Sequence, residues 1–244
     1  MISRITPPLQ IDSDCRQASC HFDKNLLQEG TAGQFGFSMP PSLNGAVQKR
    51  KAEFIAGRYC AWAALAQLDC NFNVTKGDTA IGIGANREPL WPPGFVGSIT
   101  HTHGYASAVV ARRNTVRAVG LDSERWIEPE RAEQVSRQIL TTRESHIDHM
   151  HLFKSPAHYL TLVFSAKESL FKCLFPLVNR FFDFHAAVII PLPSGARAGG
   201  EFRFELLEDM DAEFRTGYSG RGYYSIEDDC VHTAVILKAR VQDE

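Results

Sequence analysis

The sequence lacks a dominant charge. Its 26 lysines and arginines stand against 28 aspartates and glutamates, a formal balance of −2. Indiscriminate binding to nucleic acid or anionic lipid needs a basic field, and the chain as a whole supplies none. An anionic small ligand would need only a local patch. Long hydrophobic runs are missing too. The longest apolar stretches, such as Ala186–Pro191, are far too short to span a bilayer, and Met1–Gln10 has no signal-peptide core. Cysteine is present but unpatterned. Cys15, Cys20, Cys60, Cys70, Cys173 and Cys230 include no Cys-x-x-Cys pair, which argues against a zinc site or a disulfide framework and for reduced thiols in a cytoplasmic protein. Repeats and low-complexity segments are also absent. What remains is 244 residues, 44% hydrophobic and 22% charged, enough for one large globular domain or two small ones.

The first forty residues read as irregular, with turn-formers around Gly30, Gly33 and Pro40–Pro41. A helix is expected from about Leu43 to Leu68, with Phe54, Ala61, Ala64, Leu65 and Leu68 on a buried face. Arg50, Phe54 and Arg58, four residues apart, fall on one side of it. Asn71–Pro93 reads as loops and short strands. Ala106–Arg112 and Arg117–Asp122 are strand candidates, and Arg113-Asn114 between them suits a hairpin turn. Helices are expected over Glu128–Leu140 and Ser165–Leu174, the latter stopped by Pro176. The tail is β-rich over Ala186–Pro191, Glu201–Leu207 and His232–Ala239, divided by turn-formers at Pro193–Gly200 and Gly217–Gly222. Each half thus offers a helix followed by strands, an α+β pattern with a boundary near Ala118.

Chemistry enters with Val119-Gly120-Leu121-Asp122-Ser123-Glu124. Alternation along a strand points Asp122 and Glu124 the same way. Two adjacent carboxylates repel unless a cation lies between them, and hard oxygen ligands favour Mg²⁺ or Mn²⁺. A solvated strand end neutralised by Arg125 is the plainer alternative. Phe164-Ser165-Ala166-Lys167-Glu168-Ser169-Leu170-Phe171-Lys172 reads as a helix start, because Ser165 and Glu168 fit a capping box and Glu168 and Lys172 an ion-pair spacing. A third carboxylate there, near Asp122 and Glu124, would complete a cation site, with Lys167 and Lys172 adding positive charge for phosphates. Arg50, Lys51, Arg58, Arg87, Thr100 and His101 are phosphate-binding candidates, each with a structural alternative. The cluster His146, His149, His151 and His158 matches no familiar metal-ligand spacing. Phe181, Phe182 and Phe184 form either a docking strip or part of the core.

The order of these segments is more specific than any one of them. It runs Lys49-Arg50-Lys51-x-Glu53-Phe54-x-x-Gly57-Arg58, Arg87-Glu88-Pro89-Leu90-Trp91-Pro92, Gly97-Ser98-Ile99-Thr100-His101-Thr102, Val119-Gly120-Leu121-Asp122-Ser123-Glu124 and Phe164-Ser165-x-Lys167-Glu168-x-x-x-Lys172. Over Leu43–Pro176 it resembles the 4′-phosphopantetheinyl transferases of the surfactin-type class, and within them the enterobactin-synthase component D type. Thr100 replaces the family's usual serine and Phe164 its frequent tryptophan. The resemblance implies a monomeric pseudodimer of two similar α/β halves with antiparallel sheets and a ligand site in the cleft between them. Residues 1–117 would bind the coenzyme A nucleotide. Residues 118–244 would carry metal, catalysis and carrier docking. The implied reaction moves 4′-phosphopantetheine from coenzyme A to a serine of an apo acyl or peptidyl carrier protein, leaving adenosine 3′,5′-bisphosphate. Fatty-acid, siderophore and nonribosomal-peptide carriers all qualify.

By the same resemblance, Asp122, Glu124 and Glu168 hold Mg²⁺, or Mn²⁺. Arg50, Arg58, Arg87, Thr100 and His101 bind the nucleotide end, and Lys167 and Lys172 face the pyrophosphate. Glu168 is the candidate base, with Asp122 and Lys172 beside it in catalysis. A Mg²⁺-dependent nucleotide phosphohydrolase and a non-catalytic carrier-binding module are the rival readings. Neither nucleic acid nor membrane is an expected partner.

Overall fold

The computed structural model describes residues 2–23, 25, 32–33, 39–69, 81–147, 153–192, 199–227 and 229–240. Gly30, Cys70, His149, His151, the stretch 71–80 and the turn residues 193–198 lie outside the described residues. The chain divides into two compact units, each a long helix with an antiparallel sheet. One takes the chain up to Arg117, apart from Pro8–Ile11, and the residues after Leu237. The other takes Pro8–Ile11 and Ala118–Leu237. Among the described residues no helix is long and apolar enough to cross a membrane.

The first unit contains β1 (Ile2–Ile5), β2 (Cys15–Phe22), α1 (Gln48–Leu68), β3 (Gly82–Ile83), β4 (Pro89–Leu90), β5 (Phe95–Thr102) and β6 (Tyr105–Arg112). Its main sheet has the order β1-β2-β6-β5, antiparallel throughout. The β5–β6 hairpin closes on His103 and Gly104, at φ 38° and 83°, the paired left-handed conformations of a tight primed turn. One sheet face, with Ala18, Cys20, Ala106, Ala108 and Val110, packs on Ile55, Ala56, Cys60, Ala64 and Leu65 of α1. These are mostly small side chains, so helix and sheet approach closely. A Cβ added at Gly57 would stand 2.9 Å from Ile99 Cγ2. Phe54 and Leu68 are only half-buried, so the core stripe is centred on Ile55, Ala56 and Cys60 rather than on Phe54. The helix begins at Gln48, after a 3-10 turn at Pro41–Leu43, not at Leu43. β1 and β2 lie in the stretch read as irregular.

The second unit contains β7 (Val116–Arg125), α2 (Pro129–Ile139), α3 (Thr142–Ser145), α4 (Pro156–Val178), β8 (Ala187–Pro191), β9 (Gly199–Leu206), β10 (Ser219–Glu227) and β11 (Cys230–Lys238). The sheet order is β7-β11-β10-β9-β8. Bonds from Trp126 N–H to Asp229 O and from Ala239 N–H to Thr115 O flank the β7–β11 pair and set it antiparallel. β6 and β7 therefore do not form the expected hairpin. A tight turn joins them, with Thr115 N–H on Arg112 O, but each strand pairs in a different sheet. The first four residues of β10 fall in Gly217–Gly222, the stretch expected to be a turn. The glycines instead seat aromatic rings. Gly220 lies opposite Phe204 and Gly222 opposite Phe202, and a Cβ at either position would collide with the facing ring.

α4 is the central element of this unit. It starts at Pro156, capped by Ser155, whose side chain accepts from His158 N–H. That is nine residues before the expected start. Ser165 is mid-helix and fully buried, so the Ser165–Glu168 capping box does not exist and Glu168 is not at a helix N-terminus. The box is formed instead by Thr141 and Glu144 at the head of α3. Pro176 sits inside the last turn, and the helix ends at Asn179 in the left-handed conformation, φ 48°. Leu162, Val163, Ala166, Leu170 and Leu174 bury the apolar face with Ile189, Phe202, Phe204 and Val235.

α4 lies directly on β7. A Cβ at Gly120 would overlap the carbonyl oxygen of Ser169 and stand 2.7 Å from Cys173 N. Both obstacles are helix backbone and cannot rotate away. Gly120→Ala should therefore separate α4 from β7, at a cost of about 1–3 kcal/mol or more. A melting-temperature loss of roughly 2–12 °C is expected in thermal denaturation, and an unchanged melt would refute the contact.

Candidate active site

Strand alternation puts Gly120, Asp122 and Glu124 on one face of β7. Helical spacing puts Ser165, Glu168, Ser169 and Lys172 on the facing side of α4. Asp122 is 3% exposed. Its Oδ1 accepts from Lys172 Nζ at 2.7 Å and its Oδ2 from Ser165 Oγ at 2.8 Å. Lys172 Nζ also donates to Leu121 O at 3.2 Å. Burial, then the charges of Asp122 and Glu168, push the Glu124 carboxyl up to about 7, with Lys172 acting in the opposite sense. Glu168 is raised by burial and by Asp122, and Lys172 lowers it in part.

The site is thus a group of three carboxylates, Asp122 buried and Glu124 and Glu168 half-buried, that share one nearby ammonium. Among the described residues no three His, Cys, Asp or Glu side chains stand close enough to enclose an ion as they are placed. The donor chemistry nonetheless fits a hard divalent cation, because buried carboxylate oxygens that raise one another's pKa are what such a cation relieves. Behind Asp122, Ser165 Oγ meets Thr233 Oγ1 at 2.9 Å. On the opposite face of β7, Ser123 Oγ meets His232 Nδ1 at 2.9 Å. Burial holds the His232 imidazole down at about 4, against a smaller upward pull from Asp122.

Lys167 does not join this group. Its ammonium is 3% exposed and its three hydrogens are committed, to Glu144 Oε2 at 2.7 Å, Ile139 O at 2.8 Å and Phe184 O at 2.7 Å. Glu144 is fully buried and equally committed. It accepts from Thr141 N–H, Thr141 Oγ1 and Lys167 on one oxygen and from Ile189 N–H on the other. Burial pulls the Lys167 ammonium down and Glu144 holds it up. As placed, the ammonium is not brought to the Asp122 group, where a role at the pyrophosphate was expected; it fastens α2, α3 and α4 and, through Glu144, β8.

In the first unit, Arg50 Nη1 meets His101 Nε2 at 3.1 Å, and Arg50 Nη1 and His101 Nδ1 each stand 3.8 Å from Oε2 of the buried Glu53. Arg58 lies 4.9 Å over the Phe54 ring and donates to Ile81 O and Gly82 O, both at 3.1 Å. Burial and the charge of Arg50 hold its guanidinium down at about 10. Arg87 is exposed in the β3–β4 turn, at φ 68°. Thr100 and His101 are neighbours on β5 and so point to opposite faces. Thr100 is buried with Ser98 and Thr102, and His101 is partly exposed. Arg50, His101 and Glu53 are brought together, and Thr100 is not with them.

His146 is exposed, with Nδ1 2.6 Å from Thr142 O, and the His158 ring packs at a tilt against Trp126 with centroids 4.1 Å apart, so these two do not converge on a common point. Phe182 packs on Phe171 at 5.1 Å and Phe184 on Phe164 at 5.4 Å, which leaves Phe181 as the exposed ring of that segment. The sequence reading missed Glu144, Ser165 as a partner of Asp122, Thr233 and His232. Thr141-x-x-Glu144 was legible as a capping pattern. Thr233 and His232 carry no local signal, because only strand pairing brings β11 beside β7.

Two outcomes follow. Lys167→Ala leaves Glu144 buried without its counterion and should cost about 3–5 kcal/mol in denaturant unfolding, much more than any exposed lysine. The second outcome concerns pH, in chelator. Between about pH 4.5 and 7 the folded chain keeps a Glu124 proton that the unfolded chain has lost, so Glu124 lowers stability as pH rises. Between pH 6.5 and about 4 the unfolded chain takes a proton that folded His232 refuses, so stability falls as pH falls. The two oppose each other. Glu124→Gln should remove the first and leave melting temperature rising with pH from 4 to 6.5 more steeply than in the parent. Superimposable pH profiles would refute the assignment.

Both halves of the sequence match known families. A model described as the 4′-phosphopantetheinyl transferase N-terminal domain matches residues 40–111, and one described as the 4′-phosphopantetheinyl transferase superfamily matches residues 118–219. The 4′-phosphopantetheinyl transferase PptT of Mycobacterium tuberculosis is 34% identical over 202 residues, 81% of this chain and 83% of that protein. The 4′-phosphopantetheinyl transferase Npt of Nocardia iowensis is 35% identical over 164 residues, 66% and 69% of the two chains. Enterobactin synthase component D of Salmonella typhimurium is 38% identical over 130 residues, 53% and 50%. With α4 and β7 presenting their carboxylates and lysine within the second matched segment, the chain belongs to the 4′-phosphopantetheinyl transferase family.

Proposed function

We propose that this chain transfers the 4′-phosphopantetheine of coenzyme A to a serine of an apo carrier protein through the group formed by Asp122, Glu124, Glu168 and Lys172. The transferase activity follows from the family. The residue roles are our reading of the geometry, and the Asp122–Lys172 contact of 2.7 Å between two raised glutamates is the observation that supports it. Asp122, Glu124 and Glu168 would hold Mg²⁺ or Mn²⁺. That cation supplies charge neutralisation at the pyrophosphate.

Lys172 orients and neutralises pyrophosphate oxygens from the same side as Asp122. Arg50, Arg58, Arg87 and His101 hold the nucleotide end, with Glu53 fixing the first and last of these. The arginines suit phosphate by their planar, multiply donating groups. Glu168 takes the proton of the carrier serine, directly or through water, as its oxygen attacks the β-phosphorus and adenosine 3′,5′-bisphosphate leaves. A carboxylate that also holds a cation is a weak base, which favours the route through water. Thr100, on the other face of β5, is not assigned to the nucleotide group. Carriers of siderophore and nonribosomal-peptide assembly head the acceptors to test, since component D of enterobactin synthase is among the relatives.

Intact-protein mass spectrometry of apo carriers incubated with the enzyme, coenzyme A and Mg²⁺ tests the reading. A chelator-sensitive gain of one phosphopantetheinyl arm is expected. Glu168→Gln should lower turnover by a factor on the order of 10²–10⁴ while melting at or above the parent temperature. Near-parent turnover would remove Glu168 from its role.

A further inference from the structure

We propose that Ser165, seated by Thr233, is a positioning residue that fixes the Asp122 carboxylate for cation binding. The proposal rests on the reading of Asp122 as a ligand. Ser165 and Thr233 are both fully buried, on α4 and β11, 68 residues apart in sequence. Neither belongs to the carboxylate and lysine set.

Proton bookkeeping orders the chain of contacts. An ionised Asp122 only accepts, so the single Ser165 hydroxyl proton goes to Oδ2 at 2.8 Å. Ser165 Oγ is then an acceptor, and Thr233 Oγ1 at 2.9 Å is the donor that faces it. Thr233 Oγ1 also stands 2.9 Å from the Ser165 carbonyl, so its one proton bridges the hydroxyl and the backbone of the same residue. Three consequences follow. The Ser165 rotamer is locked from behind. Oδ2 of Asp122 is held on the helix side. Oδ1 is held by Lys172 Nζ at 2.7 Å. Asp122 is thereby held in one orientation, and the two glutamates, which do not enclose an ion as placed, would close on it. Loss of such outer partners costs about 10–100-fold in cation affinity where it has been measured.

The test is a Mn²⁺ titration followed by the free-ion electron paramagnetic resonance signal, on the full chain, beside thermal melts. Asp122→Asn reports on the underlying reading. Ser165→Ala and Thr233→Val report on the positioning role, and Thr233→Ser is the conservative rescue. The expected result is Mn²⁺ affinity lost in Asp122→Asn, weakened about 10-fold or more in Ser165→Ala and Thr233→Val, and near parent in Thr233→Ser. Parent-like affinity in Asp122→Asn would overturn the ligand reading itself. Affinity lost in Asp122→Asn but parent-like in Ser165→Ala or Thr233→Val, whatever their melting temperatures, would overturn the positioning role alone. Should Ser165→Ala fail to fold, the Thr233→Val and Thr233→Ser pair decides the matter, and equal affinities in those two refute the proposal.

Discussion

The contact on which the site depends is backbone against backbone, where α4 crosses β7 at Gly120. No side chain fits there, since a single methyl group would overlap the Ser169 carbonyl. From that point two periodicities run side by side. The strand offers positions 120, 122 and 124 to the helix, and the helix offers 165, 168, 169 and 172 to the strand. Asp122 therefore meets both Ser165 and Lys172, residues two turns apart. A side chain at position 120 would lift the helix and lengthen these contacts together. The motif residues are useful only because one residue between them has no side chain.

The same helix keeps two lysines apart. Lys167 and Lys172 are five residues apart, about 140° around the helix axis. One faces Asp122. The other faces the end of α2, α3 and the start of β8, where Glu144 collects it with two backbone carbonyls. Proximity in sequence suggested a common task at the phosphates. Helical rotation turns the two side chains to different neighbours. A fully satisfied buried pair is costly to break and adds little over an apolar pair, so its contribution is to lock those elements in one arrangement.

What the sequence made legible followed local rules. α1, α2, β6 and most of the tail strands declare themselves by periodicity, and the ordered motifs identify the carboxylates and Lys172. What it hid was set by tertiary packing. β10 contains glycines because Phe202 and Phe204 lie across them, which reads locally as a turn. The first nine residues of α4 are rich in apolar, aromatic and β-branched side chains, and the Ser165–Glu168 spacing imitates a cap that the true N-terminus, at Ser155, makes redundant. β6 and β7 look like a hairpin, yet their hydrogen bonds go to different sheets. Thr100 and His101 look like one phosphate-binding pair, yet strand alternation turns them apart.

The candidate site is also where the fold gives up local consistency. Elsewhere in the second unit, buried polar groups such as Lys167, Glu144 and Thr161 are matched to partners with complementary hydrogens or lone pairs. Around Asp122 the match is deliberately uneven, with three carboxylates and one ammonium. Glu124, pushed up to about 7, carries the mismatch at neutral pH. A chain arranged for stability alone would replace Glu124 or Glu168 by an apolar residue and lose nothing from its core. Both carboxylates cost the fold stability, and a bound cation is the kind of group that would relieve their repulsion. The hydroxyls of Ser165 and Thr233 sharpen the argument. They hold the one carboxylate that Lys172 already satisfies, so the unsatisfied pair is left with a fixed third member to work against.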